Sequence, residues 1–213
     1  MTKSILVCAA HPDDEIFGIG GTIAAYVKKK YTVTVLIFSY GEKGNVWLKK
    51  TETKKIRKNE STEAARIVGT QSLQFLGLTE GNFEKEAEEH ALKKLTNILK
   101  RNNFEKIFTH APDDPHPDHA ATARIVLTLA ESMRKHYDVY SFDIWTPINI
   151  KKRKLPRLYV DITETFRLKT AALKCFRSQK SSLIALLWSV YVRAIKAGFE
   201  NKTRFAEVFY KIH

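Results

Sequence analysis

Two short turns concentrate the side chains able to do chemistry. Residues 10–15 read AHPDDE directly after the apolar run ILVCA at 5–9, and residues 113–119 read DDPHPDH shortly after KIFTH at 106–110. Placing His11, Asp13, Asp14 and Glu15 together at the end of a core strand is costly without a compensating partner. A divalent cation is the simplest such partner, because imidazole and carboxylate are zinc ligands and a catalytic zinc site keeps one position for water. His11 and Asp14 come from one tight turn, and a histidine of HPDH would complete a set of three. A bound metal brings the pKa of its water to about 7, and the reaction then needs a base, an acid and a group that holds the acid. Asp13, His116 and Asp118 are of those types, each beside a candidate ligand. Either turn alone also reads as a capped helix start, with Asp13 or Asp14 ahead of a helix near Phe17 and Asp118 ahead of the next. Two such turns, each setting imidazole among carboxylates, are harder to account for as caps.

The elements that must position these turns alternate along the chain. Apolar and β-branched runs predict strands at 5–10, 33–39, 73–77, 106–110 and 139–145, with a sixth at 157–162. Helical spacing occupies 17–30, 52–68, 87–102, 119–135 and 181–198, and the second of these stops at Gly69. VTVLIFS at 33–39 is apolar or β-branched at nearly every position, as a strand buried on both faces requires. The order predicts an α/β fold, a Rossmann-like and mostly parallel sheet with helices on both faces. Ligands of such sheets collect beyond the carboxyl ends of the strands. AHPDDE, SYGEKGN at 39–45 and HAPDDPHPDH each follow a strand, so the active site should lie at the C-terminal ends of the strands.

Composition narrows the class. The 213 residues suit one domain spanning 1–213, and 44% hydrophobic content is that of a globular protein. Cys8 and Cys175 cannot build a disulfide framework, and Cys8 reads as a small core residue. The N-terminal apolar run is too short for a signal peptide. LIALLWSVYV at 183–192 also falls short of the roughly 20 residues that cross a bilayer. A cytoplasmic protein without a transmembrane segment is expected, and helix 181–198 serves either core packing or a homo-oligomer contact. The net charge of +13 lies in runs such as KKTETKKIRK at 49–58 and KKRKLPR at 151–157. An anionic partner is one reading of it. No nucleic-acid motif accompanies the charge, so a solvated basic surface is the simpler reading and no nucleic acid is expected as partner. GIGG at 18–21 does not match a dinucleotide-binding fingerprint, and the carboxylates before it would repel a pyrophosphate.

With AHPDDE after the first strand and HPDH after a later one, the sequence resembles the PIG-L or LmbE-like family of metal-dependent N-acetylglucosaminyl deacetylases. SYGEKG at 39–44, RKNESTEAARIVG at 57–69 and FLGL at 75–78 look like further blocks of that family. So do VDIT at 160–163, Lys169, RSQ at 177–179 and FAEVF at 205–209, and the resemblance runs nearly end to end. It implies one Zn2+ per chain, with other divalent metals open, held by His11, Asp14 and His119. Asp13 would be the general base, His116 the protonated acid, and Asp118 the group that orients or tunes His116. Glu15 and Arg57 would sit near the sugar or brace the loops, and Trp47 would stack on a sugar face. Some members carry a tyrosine near the second motif, where this chain has Asp114 two residues before His116. Asp113 and Asp114 should then raise the pKa of His116. The implied reaction removes the N-acetyl group from a GlcNAc-containing small molecule or glycoside. A non-sugar N-acyl substrate is the alternative, with a nucleotide- or nucleic-acid-binding module behind it.

Overall fold

The apolar runs form the central strands of one sheet. A computed structural model describes residues 3–44, 48–86, 92–144 and 153–213. The strands are β1 (Ser4–Ala9), β2 (Thr32–Ser39), β3 (Ser72–Leu78), β4 (Phe104–His110), β5 (Asp138–Phe142), β6 (Arg157–Asp161) and β7 (Ala206–Lys211). Their order across the sheet is β3-β2-β1-β4-β5-β7-β6. The pairs from β3 to β5 are all parallel, whereas β7 runs antiparallel to both β5 and β6. β1 and β2 are buried almost throughout, as their unbroken apolar runs require.

Helices cover both faces. α1 (Asp14–Lys28), α2 (Lys50–Val68), α6 (Phe166–Leu173) and α7 (Lys180–Glu200) enclose one core cluster. The short α3 (Phe83–Glu86), α4 (Leu92–Arg101) and α5 (Pro117–Ser132) enclose the other. α2 ends on Gly69 at φ 83°, a left-handed cap that glycine adopts without a steric penalty. α7 packs Leu186, Val190, Ala194 and Ala197 inward and leaves Ile184, Trp188, Ile195 and Phe199 exposed. Among the described residues no helix is long and apolar enough to cross a membrane.

One topological feature positions the site. From β1 the chain moves outward through β2 to β3, then returns to place β4 on the opposite side of β1. The loops leaving β1 and β4 therefore diverge at a switch point, the crevice where open α/β sheets bind ligands. AHPDDE leaves β1 and DDPHPDH leaves β4, so strand order alone brings together residues about a hundred positions apart.

The sequence pattern misses α6 and β7. AEVFYK in β7 carries an acidic residue, Glu207, on a buried position, which hides its apolar alternation. That carboxylate is matched by Lys169 of α6, whose Nζ lies 2.5 Å from Glu207 Oε1 and 2.8 Å from Phe17 O. Glu207 also accepts the Gly21 and Thr22 N–H groups at 3.2 and 2.7 Å, tying β7 to α1. The same helix packs closely on β5: a Cβ at Gly18 would stand 2.3 Å from the Phe142 ring. Gly18→Ala is therefore expected to destabilise the protein by about 1–3 kcal/mol or more through overpacking, read as a lower urea midpoint with an unchanged slope.

Candidate active site

The first turn is held in a conformation that costs energy. Asp13 has φ 101°, in the left-handed region that a residue with a Cβ occupies only at a cost of about 1–3 kcal/mol. Three side chains hold it there. Glu15 Oε2 accepts the Asp13 N–H at 2.9 Å, and Asp14 Oδ2 accepts the His11 N–H at 2.8 Å. Arg57 of α2 reaches across to donate to Pro12 O at 2.5 Å and to Asp13 Oδ2 at 3.2 Å. Asp13 stands at the N-cap of α1 yet makes no side-chain cap bond. Capping therefore does not explain its carboxylate.

The three expected ligands converge. Asp14 Oδ2 lies 3.3 Å from His11 Nδ1 and 3.2 Å from His119 Nε2, and all three residues are buried. Donor atoms of His11, His116 and His119 fall within 4.8 Å of one another, as do those of Asp14, His110 and His119. This donor set of imidazoles around one carboxylate fits a divalent cation. Burial lowers the pKa of His11, but its hydrogen bonds with Asp118 and Asp14 outweigh that and raise it to about 9. His119 behaves alike, with burial opposed by the Asp14 charge and the Asp114 carboxylate, and rises to about 10. The carboxylates thus hold positive charge at the position of the two imidazoles. Burial raises Asp14 in turn, and His119, His11 and His110 more than reverse it, leaving its carboxyl well below the usual range. Asp13 is pushed up to about 7 by burial, against the pull of Arg57.

Two sequence expectations need correction. The Asp118 carboxylate tunes His116 through its charge, which acts to raise the His116 pKa, but it is directed at other partners. Its Oδ2 lies 3.0 Å from His11 Nε2 and accepts the Gly81 N–H at 2.9 Å, so it braces the His11 ring. His116 is fixed by the Asp118 main chain, whose N–H donates to His116 Nδ1 at 3.2 Å, making His116 the N-cap of α5. The acidic pair does not raise the pKa of His116 either: burial lowers it, followed by the nearby His119 and His11. The cause is where the acids point. Asp114 Oδ1 stands 3.2 Å from His119 Nδ1 and 2.9 Å from the His116 N–H, and Asp113 pairs with Arg153.

Asp114 and His110 are functional candidates that the sequence reading passed over. Asp114 supports His119 from behind, the carboxylate–imidazole arrangement that fixes a ligand's ring and raises its basicity. His110 ends β4, fully buried, with its ring stacked 3.9 Å from that of His119. Its Nε2 accepts the Ala10 N–H at 3.0 Å, and burial holds its pKa down at about 4. With that lone pair engaged and its pKa held low, His110 stands as a neutral imidazole against the His119 ring. The signal was present only as one histidine closing an apolar strand.

Of the remaining candidates, Glu15 is 2% exposed and turned inward on the Asp13 N–H, raised well above its ordinary range by burial. This geometry makes it a brace of the turn. Arg57, also buried, lies against the second charged loop as well, donating to Gly41 O at 3.0 Å. Gly41 has φ 62°, and a Cβ there would sit 2.1 Å from Arg57 Nη1, so the glycine of SYGEKG is required twice over. Trp47 lies outside the described residues.

A mostly parallel sheet with a buried imidazole–carboxylate cluster at its switch point defines an α/β protein with a cluster that could hold a cation. The PIG-L family, GlcNAc-PI de-N-acetylase, matches residues 6–130, and the chain belongs to it. It is 29% identical to "4-oxalmesaconate hydratase" of Pseudomonas putida, over 94% of this chain and 81% of that protein. It is also 29% identical to "Probable N-acetyl-alpha-D-glucosaminyl L-malate deacetylase 2" of Bacillus cereus, over 86% of this chain and 87% of the relative. Among solved structures, N,N'-diacetylchitobiose deacetylase from Pyrococcus horikoshii superposes with a TM-score of 0.80 at 24% identity, covering 97% of this chain and 82% of that one. The fold and family expected from the motifs are those found.

Proposed function

We propose that the protein is a zinc-dependent N-deacetylase that frees the amine of an N-acetylated amino sugar in a small molecule or glycoside. The convergence of His11, Asp14 and His119 on one another, beside Asp13, carries this reading. His11, Asp14 and His119 would hold the cation, one per chain. When bound, it supplies a Lewis acid that polarises the acetyl carbonyl and acidifies a water. The other steps belong to the chain. Arg57 engages Asp13 Oδ2, so the proton of the attacking water goes to Oδ1. The neutral His116 ring carries its proton on Nε2, because Nδ1 is occupied as the acceptor of the Asp118 N–H. Nε2–H, on a neutral ring rather than the protonated acid that the resemblance implies, is therefore a hydrogen-bond donor to the oxyanion, and the proton that Asp13 Oδ1 takes from the water passes to the departing nitrogen. Asp118 and Asp114 keep His11 and His119 in register, while Glu15 and Arg57 hold the Asp13 turn.

Acetate release from a panel of N-acetylglucosaminides tests the reading. Dialysis against a chelator is expected to abolish release, and one equivalent of zinc per chain to restore it. Full activity in the metal-stripped protein would overturn the assignment. The similarity to a hydratase favours one second reading, since adding water to a substrate needs the same base and the same activated water. Turnover of an unsaturated carboxylate with no acetate released from any panel member would select it.

A further inference from the structure

A cavity of about 560 Å³ lies among α1, α7, β7 and the segment entering β6, within the usual size range of small-molecule sites. No residue of the imidazole cluster lines it. Phe142 separates the two, with its ring 4.8 Å from that of His110 on one side and pressed against Gly18 on the other.

The cavity's charge is unbalanced. Its lining holds six cations: Arg153, Lys154, Arg157, Lys169, Arg193 and Lys196. It also holds three carboxylates, Asp143, Glu200 and Glu207. Each carboxylate already has a basic partner: Asp143 with Arg153 at 3.0 Å, Glu200 with Arg157 at 3.2 Å and Glu207 with Lys169 at 2.5 Å. Among the described residues Lys154, Arg193 and Lys196 make no direct ion pair, although the Asp143 and Glu207 charges act on Arg193 from a distance, and the six cations still exceed the three carboxylates. Arg193 is the inner one, donating among the described residues to the main-chain oxygens of Ser189 and Asp143, and burial lowers its pKa. Lys154 and Lys196 are exposed at the rim. The remaining wall is mostly apolar, with Val190, Ala194, Ala197, Ala206 and Val208 in it beside Tyr210. A concave, low-dielectric surface with uncompensated positive charge focuses its field on an anion. Such walls also favour a ligand that brings a carbon skeleton along with its charge.

We propose that this cavity is a second ligand site, separate from the imidazole cluster, that binds a small organic anion of two or more negative charges. Arg193 is its central contact, and Lys154 and Lys196 close over the ligand at the mouth. The site does not depend on the deacetylase reading.

Calorimetric titration of the whole protein with citrate, glycerol 2-phosphate and inorganic phosphate tests the proposal and separates carboxylate from phosphate ester. Saturable binding of an organic anion, tighter than that of inorganic phosphate, is expected. Arg193→Met should weaken it at least about tenfold, as loss of a charge-assisted contact does. Because Arg193 is partly buried and its loss could unfold the protein, Lys154→Gln/Lys196→Gln provides a second variant at exposed positions, with an expected loss of about three- to tenfold. His119→Ala should leave binding unchanged. Absence of binding at millimolar anion would overturn the proposal. So would binding that survives in both cavity variants, or that disappears with His119→Ala while Arg193→Met retains it.

Discussion

Asp13→Asn is expected to lower turnover by about 10²–10⁴-fold, the usual contribution of a positioned general base, with metal content unchanged. Asparagine keeps the shape of the side chain and an oxygen that can accept from Arg57, but it cannot take a proton. The substitution therefore isolates proton transfer from positioning. His11, Asp14 and His119 make their mutual contacts without Asp13, so the variant should bind one equivalent of zinc as the native chain does. The loss corresponds to about 3–5 kcal/mol of transition-state stabilisation. It should appear in kcat and kcat/KM alike, because the proton moves only in the transition state. The expectation is common to amide hydrolysis and to hydration, so it tests the role of Asp13 before the substrate is known. Near-native turnover with full metal content would remove Asp13 from the chemistry and leave it as a structural part of the turn.

How far the site was legible depended on whether its logic was local. His11 and Asp14 lie three positions apart in one turn, and His116, Asp118 and His119 share one helix start, so their types and spacing announced them. Strand alternation then placed both turns at one sheet edge, and the switch point between β1 and β4 did the rest. Pairings between the turns were not legible. That Asp118 reaches His11 rather than His116, and that Asp114 turns to His119 rather than raising His116, follows from side-chain directions across the crevice. Local pattern carries no information about those directions. His110 was hidden for a similar reason, since a single histidine ending an apolar strand has no periodic signature. The positive φ at Asp13 had no glycine to mark it. At the other end of the chain, β7 was obscured because its one buried charge makes sense only beside Lys169 on α6.

Arg57 shows how the two scales meet, and it carries the second large expectation. The family resemblance placed it near the sugar or bracing the loops, whereas its setting in the lysine-rich run 49–58 also read as an exposed helix face, where its loss would be worth no more than about 0.5 kcal/mol. In the structure it is 4% exposed and joins the loops after β1 and β2, through Pro12 O, Asp13 Oδ2 and Gly41 O. Arg57→Met would keep much of the packing volume but orphan two main-chain carbonyls and leave the buried Asp13 charge without its partner. Each orphaned buried carbonyl costs about 1–3 kcal/mol, and the Asp13 carboxyl, already raised to about 7, takes up a proton, so a large fall in the urea midpoint is expected. Turnover should fall too, because the strained φ at Asp13 persists only while its surroundings enforce it. Arg57→Lys should rescue little, since one ammonium cannot reproduce a planar fork spread over two loops. A double-mutant cycle with Asp13→Asn separates the contributions. If Arg57 acts partly through Asp13, the stability cost of Arg57→Met shrinks in the Asp13→Asn background by about 1 kcal/mol or more. If it acts only through the two carbonyls, the costs add, and the guanidinium is then a clamp on the loops with no hold on the base.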